Sequence, residues 1–420
     1  MAPVRFRYPA PTIMDKPLKY ILAAAIGASI IAGGFYITKN TLPEKPAEIM
    51  VQNKEINIPS PTQIVAGNKI TAPALSEIKN CLGGEKVGDC LDGLFKTFFD
   101  NGGTTVEALA ALNKYESDDS NFRLACHPVI HAVGRETFIK HPTVHDAFAQ
   151  CDQTCHSGCY HGAMERFLRG NQASNDEAGH ISQDELIKKA GLACSQGLPL
   201  RLKFQCLHGL GHALVFYLDY DLERSLAVCE KQSDSWSQSS CYGGIFMENV
   251  HSATPEKRDL SRTDYHYPCS KLAENFKGDC YTMQTTRMTE LGLSTEKIFE
   301  ECKKAGNQQF QCFQSAGRDL SNDVRVGDPK AVAAKCEMAE GNDRNACVLG
   351  VLYALLDNTW NGKYAFSFCA SLANPGDTNY CFERAVSYLK YTYEKTSDDI
   401  SSDCETYLKD ADTCKEITEK

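Results

Sequence analysis

Residues 331–354 read A-V-A-A-K-C-E-M-A-E-G-N-D-R-N-A-C-V-L-G-V-L-Y-A. An alanine-rich helical stretch ends in Cys336, a polar loop follows, and a second helix opens with Cys347 and aliphatic residues. Asp328 and Pro329 mark the start of the first helix: an N-cap acceptor, then a proline where a missing N–H costs nothing. The spacing predicts a hairpin of two helices clamped by a Cys336–Cys347 bridge. The same unit recurs as E-R-S-L-A-V-C to Cys229 with C-Y-G-G-I-F-M-E from Cys241, and as K-I-F-E-E-C to Cys302 with Cys312 beyond. Ser182 with Glu185 forms a capping box at another helix start.

Working outward, this spacing pairs Cys81 with Cys90, Cys194 with Cys206, Cys229 with Cys241 and Cys269 with Cys280. It likewise pairs Cys302 with Cys312, Cys336 with Cys347, Cys369 with Cys381 and Cys404 with Cys414. From Cys206 onward the second members step by 35, 39, 32, 35, 34 and 33 residues. A step near 34 means two helices per repeat. The expected fold is therefore all-α, a two-helix-repeat α-solenoid stapled by disulfides and preceded by one N-terminal transmembrane helix. Of the four remaining cysteines, spacing joins Cys151 to Cys159 and leaves Cys126 for Cys155, one of three connectivities that four cysteines allow.

All 20 cysteines lie between Cys81 and Cys414, beyond the uncharged stretch Tyr20 to Ile37. At about 1.5 Å per residue that stretch reaches about 27 Å, enough to cross a bilayer core. Arg5, Arg7, Lys16 and Lys19 precede it against Asp15 alone, which keeps that side cytoplasmic. The expected plan is a basic cytoplasmic segment 1–19, a signal-anchor 20–37, a Pro-rich spacer 38–75 and an ectodomain 76–420. The chain is then a single-pass protein of the cell membrane with its C-terminal part outside the cytoplasm. A cleaved signal peptide is the rival reading and exports the same residues. Disulfides suit that compartment, whereas zinc–thiolate sites favour C-x2-C pairs, and the sequence has none. A net charge of −10 without a long basic run excludes a nucleic-acid surface.

The unit helix–Cys–loop–Cys-x-x-Gly–helix, carried by Ala333 to Cys336, Cys347, Gly350 and Tyr353, and by Ala227, Cys229, Cys241 and Gly244, resembles the cysteine-rich Sel-one-like repeats. These are a branch of the tetratricopeptide superfamily. The likeness spans about Cys81 to Cys414, with loops longer than the family's and without its Gly-rich turn. It implies a solenoid whose concave face takes a protein or peptide partner, and it carries over no catalytic residue.

Four units depart from the rest: C-H-P-V-I-H-A-V-G-R-E (Cys126–Glu136), C-Y-H-G-A-M-E (Cys159–Glu165), C-L-H-G-L-G-H (Cys206–His212) and C-Y-G-G-I-F-M-E (Cys241–Glu248). His127 and His131, His161 and Glu165, and His208 and His212 are four apart, so each pair shares a helix face. Successive units should stack these faces, giving metal ligands His127, His131, His161, Glu165, His208 and His212, with Glu136 and Glu248 in reserve. That set serves two ions, or one ion with carboxylates orienting the imidazoles. Zinc is the expected divalent metal, with iron or copper as alternatives. Deoxyhypusine hydroxylase, a dinuclear iron oxygenase built from helical repeats, is similar in this arrangement but shares none of the local sequence.

The bland reading is packing: Gly162, Gly209 and Gly244 admit close helices, and a buried histidine can simply bond a carbonyl or a glutamate. His141 and His145 belong to a helix start, while His156, His180, His251 and His266 read as solvated. No hydrolase or nucleotide motif occurs, and pairing leaves no thiol as nucleophile. Two functions follow. One is a membrane-anchored scaffold that binds a protein or peptide and carries a metal site within residues 126–250. The other is a metal-dependent hydrolase or oxidase using that site.

Overall fold

In the computed structural model, residues 71–170, 181–195, 197–251 and 255–419 are described. By its contacts the chain divides into Met1–Ile58 and Pro59–Lys420, and every described residue belongs to the second unit. The basic segment, the span at 20–37 and nearly all of the spacer lie outside the described residues. Among the described residues no helix is long and apolar enough to cross a membrane. The first helix begins at Leu75, beside the expected start of the ectodomain.

The described residues form helices and connecting turns, with no strand among them. Local signals place many helix starts. Asp328 accepts from the Lys330 N–H ahead of Pro329, and Ser182 with Glu185 forms the reciprocal capping box. Thr104 with Glu107 and Thr396 with Asp399 do the same elsewhere. Each such cap is worth about 1 kcal/mol.

The cysteines stand in ten pairs at disulfide distance, the pairs that spacing predicts, with Cα–Cα separations of 5.2–5.7 Å. No cysteine is free.

Cys229, Cys302, Cys336 and Cys369 stand at the ends of their helices as expected, but the second members of the pairs sit elsewhere. The second cysteine does not open its helix: Cys206, Cys241, Cys347 and Cys381 each sit six residues inside helices starting at Leu200, Ser235, Gly341 and Pro375. The polar residues before each one, such as Asn342 to Asn345, are first turns of helix rather than loop. Their polarity erases the apolar periodicity that would reveal them. Two pairs depart further. Cys90 lies in the first turn of Val87–Asp100 and is exposed, so its bond to Cys81 closes the hairpin at the surface rather than in the core. Cys280 stands at the end of the short helix Glu274–Tyr281, not at its start, and its mate Cys269 lies in a turn instead of ending a helix. Pro268, directly before Cys269, has no N–H to offer a helix ladder, which accounts for that turn.

Alkylation of the unreduced protein is expected to add no mass. Ten bonds at roughly 2–3 kcal/mol each exceed a typical net stability of about 5–15 kcal/mol, so full reduction should abolish cooperative melting.

Six of the long helices frame the site and its closure: α1 Ser120–Lys140, α2 Thr154–Arg169, α3 Leu200–Tyr217, α4 Ser235–His251, α5 Gln309–Val326 and α6 Gly341–Thr359. α1 packs on α2, α2 on α3, α3 on α4, and α5 on α6. Three of these crossings rest on reciprocal glycines. A Cβ at Gly134 would stand 2.1 Å from the Cys159 carbonyl oxygen, and one at Gly162 2.0 Å from that of His131. Gly211 and Gly244 meet Cys241 and His208 in the same way, as do Gly317 and Gly350 with Cys347 and Gln314. Backbones this close admit no side chain, so hydrogen alone fits. Gly209 is looser, its Cβ 3.2 Å from the His161 Cα.

The late units return to the early ones. Arg123 donates to the Arg325 carbonyl at 2.7 Å, buried Arg325 pairs with Glu116 at 2.7 Å, and Trp360 stacks on Tyr160 at 6.1 Å under the Arg201 guanidinium. In an open solenoid each repeat touches only its neighbours. Here residues two hundred positions apart are in contact, and α6 packs on α2.

Candidate metal centre

The glycine crossings decide where the histidines go. Gly162 beneath the His131 carbonyl draws α1 onto α2, and Gly244 beneath the His208 carbonyl draws α3 onto α4. Five imidazoles from α1, α2 and α3 meet in the space between. Ring centroids lie 4.7 Å apart for His127–His131, 5.2 Å for His127–His161 and 5.5 Å for His131–His161. On the other side they lie 5.3 Å apart for His161–His208, 4.8 Å for His161–His212 and 5.1 Å for His208–His212. His127, His131 and His161 are positioned to hold a metal ion: their ligand nitrogens all lie within 4.8 Å of one another.

The outer nitrogens are tied. His127 Nδ1 donates to the Cys155 carbonyl at 3.0 Å, and His131 Nδ1 to Glu165 Oε1 at 2.7 Å. His212 Nδ1 donates to Glu248 Oε2 at 2.8 Å. Such bonds fix the tautomer and turn the other nitrogen, with its lone pair, inward. His127 Nε2 and His131 Nε2 then face each other at 3.2 Å. In neutral rings that sets lone pair against lone pair. A cation with metal–nitrogen bonds of about 2.0–2.1 Å at a near-tetrahedral angle spans that gap.

Burial keeps His127, His161, His208 and His212 neutral. It pushes His127 down to about 3 and His208 to about 4, and takes His161 and His212 well below the usual histidine value, with neighbouring imidazoles adding to the depression. Neutral imidazole is the metal-binding form. Burial pushes the Glu165 carboxyl up, but the Arg135 guanidinium and His131 outweigh it and leave the carboxyl well below the usual range. Arg135 also reaches Asp92, so Asp92, Arg135, Glu165 and His131 form one chain of charge leading to the cluster. Arg135→Ala would strand a Glu165 that is 1 % exposed. Breaking such a buried pair is expected to cost about 3–5 kcal/mol in chemical denaturation.

The backbone under this site is held in an unusual conformation. Cys155, His156 and Ser157 lie consecutively in the left-handed region at φ 49°, 59° and 61°. None is glycine, and each such residue costs of order 1–3 kcal/mol unless its surroundings over-determine it. The Cys126–Cys155 and Cys151–Cys159 pairs hold the turn from both sides. Its products are the Cys155 carbonyl at His127 and the His156 ring 5.8 Å from it.

No family model, curated protein or solved structure matches this chain. The reading of the site rests on its own geometry.

The structure brings some of the expected ligands together and sends others elsewhere. His127, His131, His161, His208 and His212 converge. Glu165 does not share a cation face with His161; it turns to His131 and Arg135, and Glu248 stands in the same way behind His212. Both carboxylates thus orient imidazoles rather than project inward. Glu136 stays out: the charges acting on it are those of Arg166, Asp92, Lys96 and Asp100. At about 100° per residue it lies about 180° around α1 from His127, whereas Arg135 completes the His127–His131 stripe. That i, i+4, i+8 stripe was the signal for Arg135. His156, expected in water, has a buried and unpartnered Nε2 beside His127. His266 is half-buried, bonds Tyr281 at 3.1 Å and lies 3.4 Å from Glu301. His251 is exposed at the end of α4, and His180 lies outside the described residues. A second group, Glu116 with Cys126 and Cys155, has metal-like spacing, but its two sulfurs are paired with each other.

Proposed function

We propose that this chain is an extracytoplasmic, membrane-anchored helical-repeat protein built around a transition-metal centre, and that the centre is reactive. The observation that carries the reading is His161. Both of its ring nitrogens are buried without a hydrogen-bond partner, and so is His212 Nε2. An unsatisfied buried polar group costs about 1–3 kcal/mol, so a histidine kept only for packing would find an acceptor. These nitrogens instead point among lone pairs, a surrounding that only a cation or a proton relieves.

The donor set selects the ion. The carboxylates that a dinuclear iron oxygenase would require as ligands are engaged on imidazole N–H groups, which separates this centre from the deoxyhypusine hydroxylase arrangement. A nitrogen-only set suits zinc or copper. His127 and His156 are half-buried while His131, His161, His208 and His212 are buried, so the cluster has one edge toward solvent. That edge supports metal-dependent hydrolysis or oxidation, with the cation polarising a substrate or activating water. A passive scaffold has weaker support, because contacts between early and late units leave the array less open than peptide capture needs. The ten cysteine pairs support an oxidising compartment. The anchor at 20–37 and the Sel-one-like ancestry rest on the sequence features alone.

The test is elemental analysis of the full chain purified without chelator, beside a His161→Ala/His208→Ala double variant. At least one equivalent of zinc or copper is expected in the parent and less than a tenth of it in the variant. A parent that retains no stoichiometric metal after loading and dialysis overturns the proposal.

A further inference from the structure

We propose that His161 is a bridging ligand, shared as an imidazolate between two metal ions. One ion is held by His127, His131 and His161, the other by His208, His212 and His161. The inference deepens the metal-centre reading and depends on it.

Three observations lead there. The first is the position of His161: its ring lies 5.2 and 5.5 Å from His127 and His131 and 5.3 and 4.8 Å from His208 and His212, with His212 also 5.8 Å from His131. An ion with bonds of about 2.0–2.1 Å to three imidazoles sets their ring centres about 5 Å apart, and both trios have that spacing. The second is the asymmetry of hydrogen bonding. Of the flanking imidazoles, His127, His131 and His212 each spend one nitrogen on a backbone or carboxylate partner, so each has one nitrogen left for an ion. His161 spends neither: Nδ1 and Nε2 are both buried and both free, with 3 % of the residue exposed. A terminal ligand leaves one nitrogen to be bonded elsewhere, whereas a bridge uses both.

The third is internal repetition. Gly162 packs on the His131 carbonyl and Gly244 on that of His208, so the α1–α2 and α3–α4 pairs superimpose these two histidines. The His131–Glu165 and His212–Glu248 pairs do not superimpose, since Arg135 stands where His212 stands, but each half ties one imidazole to a carboxylate of its own second helix. In the third glycine-linked pair Gln314 stands where His131 and His208 stand. The first helix of each hairpin carries two histidines four residues apart, and His161 on α2 is the imidazole packed against both pairs.

The protons balance as follows. Neutral His161 carries one N–H. The first ion takes the lone pair of one nitrogen; when the second ion binds, the N–H proton leaves to water and the freed electron pair forms the second bond. No electrons are transferred.

Copper(II) is the probe, because coupled spins read the bridge directly. The full chain is loaded with excess copper(II), dialysed and analysed for copper content and for EPR intensity. Two equivalents per chain are expected, with an EPR signal well below that of two isolated spins, recovering as acid reprotonates the bridge. His161→Phe, which keeps a ring of similar size, should weaken the second ion at least 100-fold and abolish the coupling. One equivalent in the parent overturns the bridge and leaves a mononuclear centre standing. Two equivalents with full uncoupled intensity also overturn it. No bound copper or zinc at all overturns the metal centre itself.

Discussion

Gly162→Ala is expected to destabilise the protein by about 3 kcal/mol or more and to weaken metal binding at least tenfold. The added Cβ would lie 2.0 Å from the His131 carbonyl oxygen and 2.7 Å from its carbonyl carbon. That neighbour is main chain and cannot rotate away, so α1 and α2 must separate, and overpacking of this kind costs upwards of about 1–3 kcal/mol. His131 moves with its backbone, away from Glu165 and from the inward position of its Nε2. Urea denaturation with disulfides intact reads the first effect and zinc titration the second. A variant as stable as the parent would mean that the two helices cross at a greater distance. Gly191→Ala, with nothing within 4 Å of its Cβ, is the control and should be neutral.

Acid is expected to unfold the metal-free protein well above the pH at which its carboxylates titrate. Burial holds His127 at about 3 and His208 at about 4, with His161, His212 and His156 also lowered. In the unfolded chain each titrates near 6.5. Between those values the unfolded state binds more protons, so stability is intact above about pH 6.5 and falls as pH drops toward 3–4. A tenfold difference in proton affinity between the folded and unfolded chain is worth about 1.4 kcal/mol per histidine. With several histidines contributing, the loss by about pH 5 is several kcal/mol. Bound metal competes with the same protons, so loading should move the transition to lower pH. Thermal melts of chelated and zinc-loaded protein across about pH 4–8 measure both. Melting temperatures flat from neutral pH down to about 5 without metal would show the imidazoles already solvated.

The pairing of cysteines was legible because it is one-dimensional: a bond between consecutive helices leaves a fixed spacing, and even the Cys126–Cys155 assignment followed by elimination. Spacing says nothing of where in a helix a cysteine falls, so Cys280 could close its hairpin from a helix end as well as Cys347 does from a helix middle. The histidine stripe was legible for a related reason, since four residues is slightly more than one turn. What spacing does not encode is the direction in which a side chain turns once helices cross. Glu165 sits four residues after His161, yet its carboxyl reaches across to His131 and Arg135 because Gly162 brings α1 that close. Glu136 has the charge of a ligand, but its helical phase turns it away from the His127–His131 stripe. The left-handed run Cys155–Ser157 carries no glycine to announce it, and it gave His156 a buried nitrogen where a loop histidine was expected in water. Closure of the late units onto the early ones depends on Arg325 and Trp360, neither of which repeats.

Anomalous diffraction from a crystal of the zinc-loaded protein, recorded at the zinc edge, tests the metal centre most directly. Density is expected between the inward nitrogens of His127, His131 and His161, at about 2.0–2.1 Å from each, with Glu165 and Glu248 still on the outer nitrogens of their histidines. Zinc held only by surface carboxylates, or imidazoles turned outward from an empty centre, would contradict it.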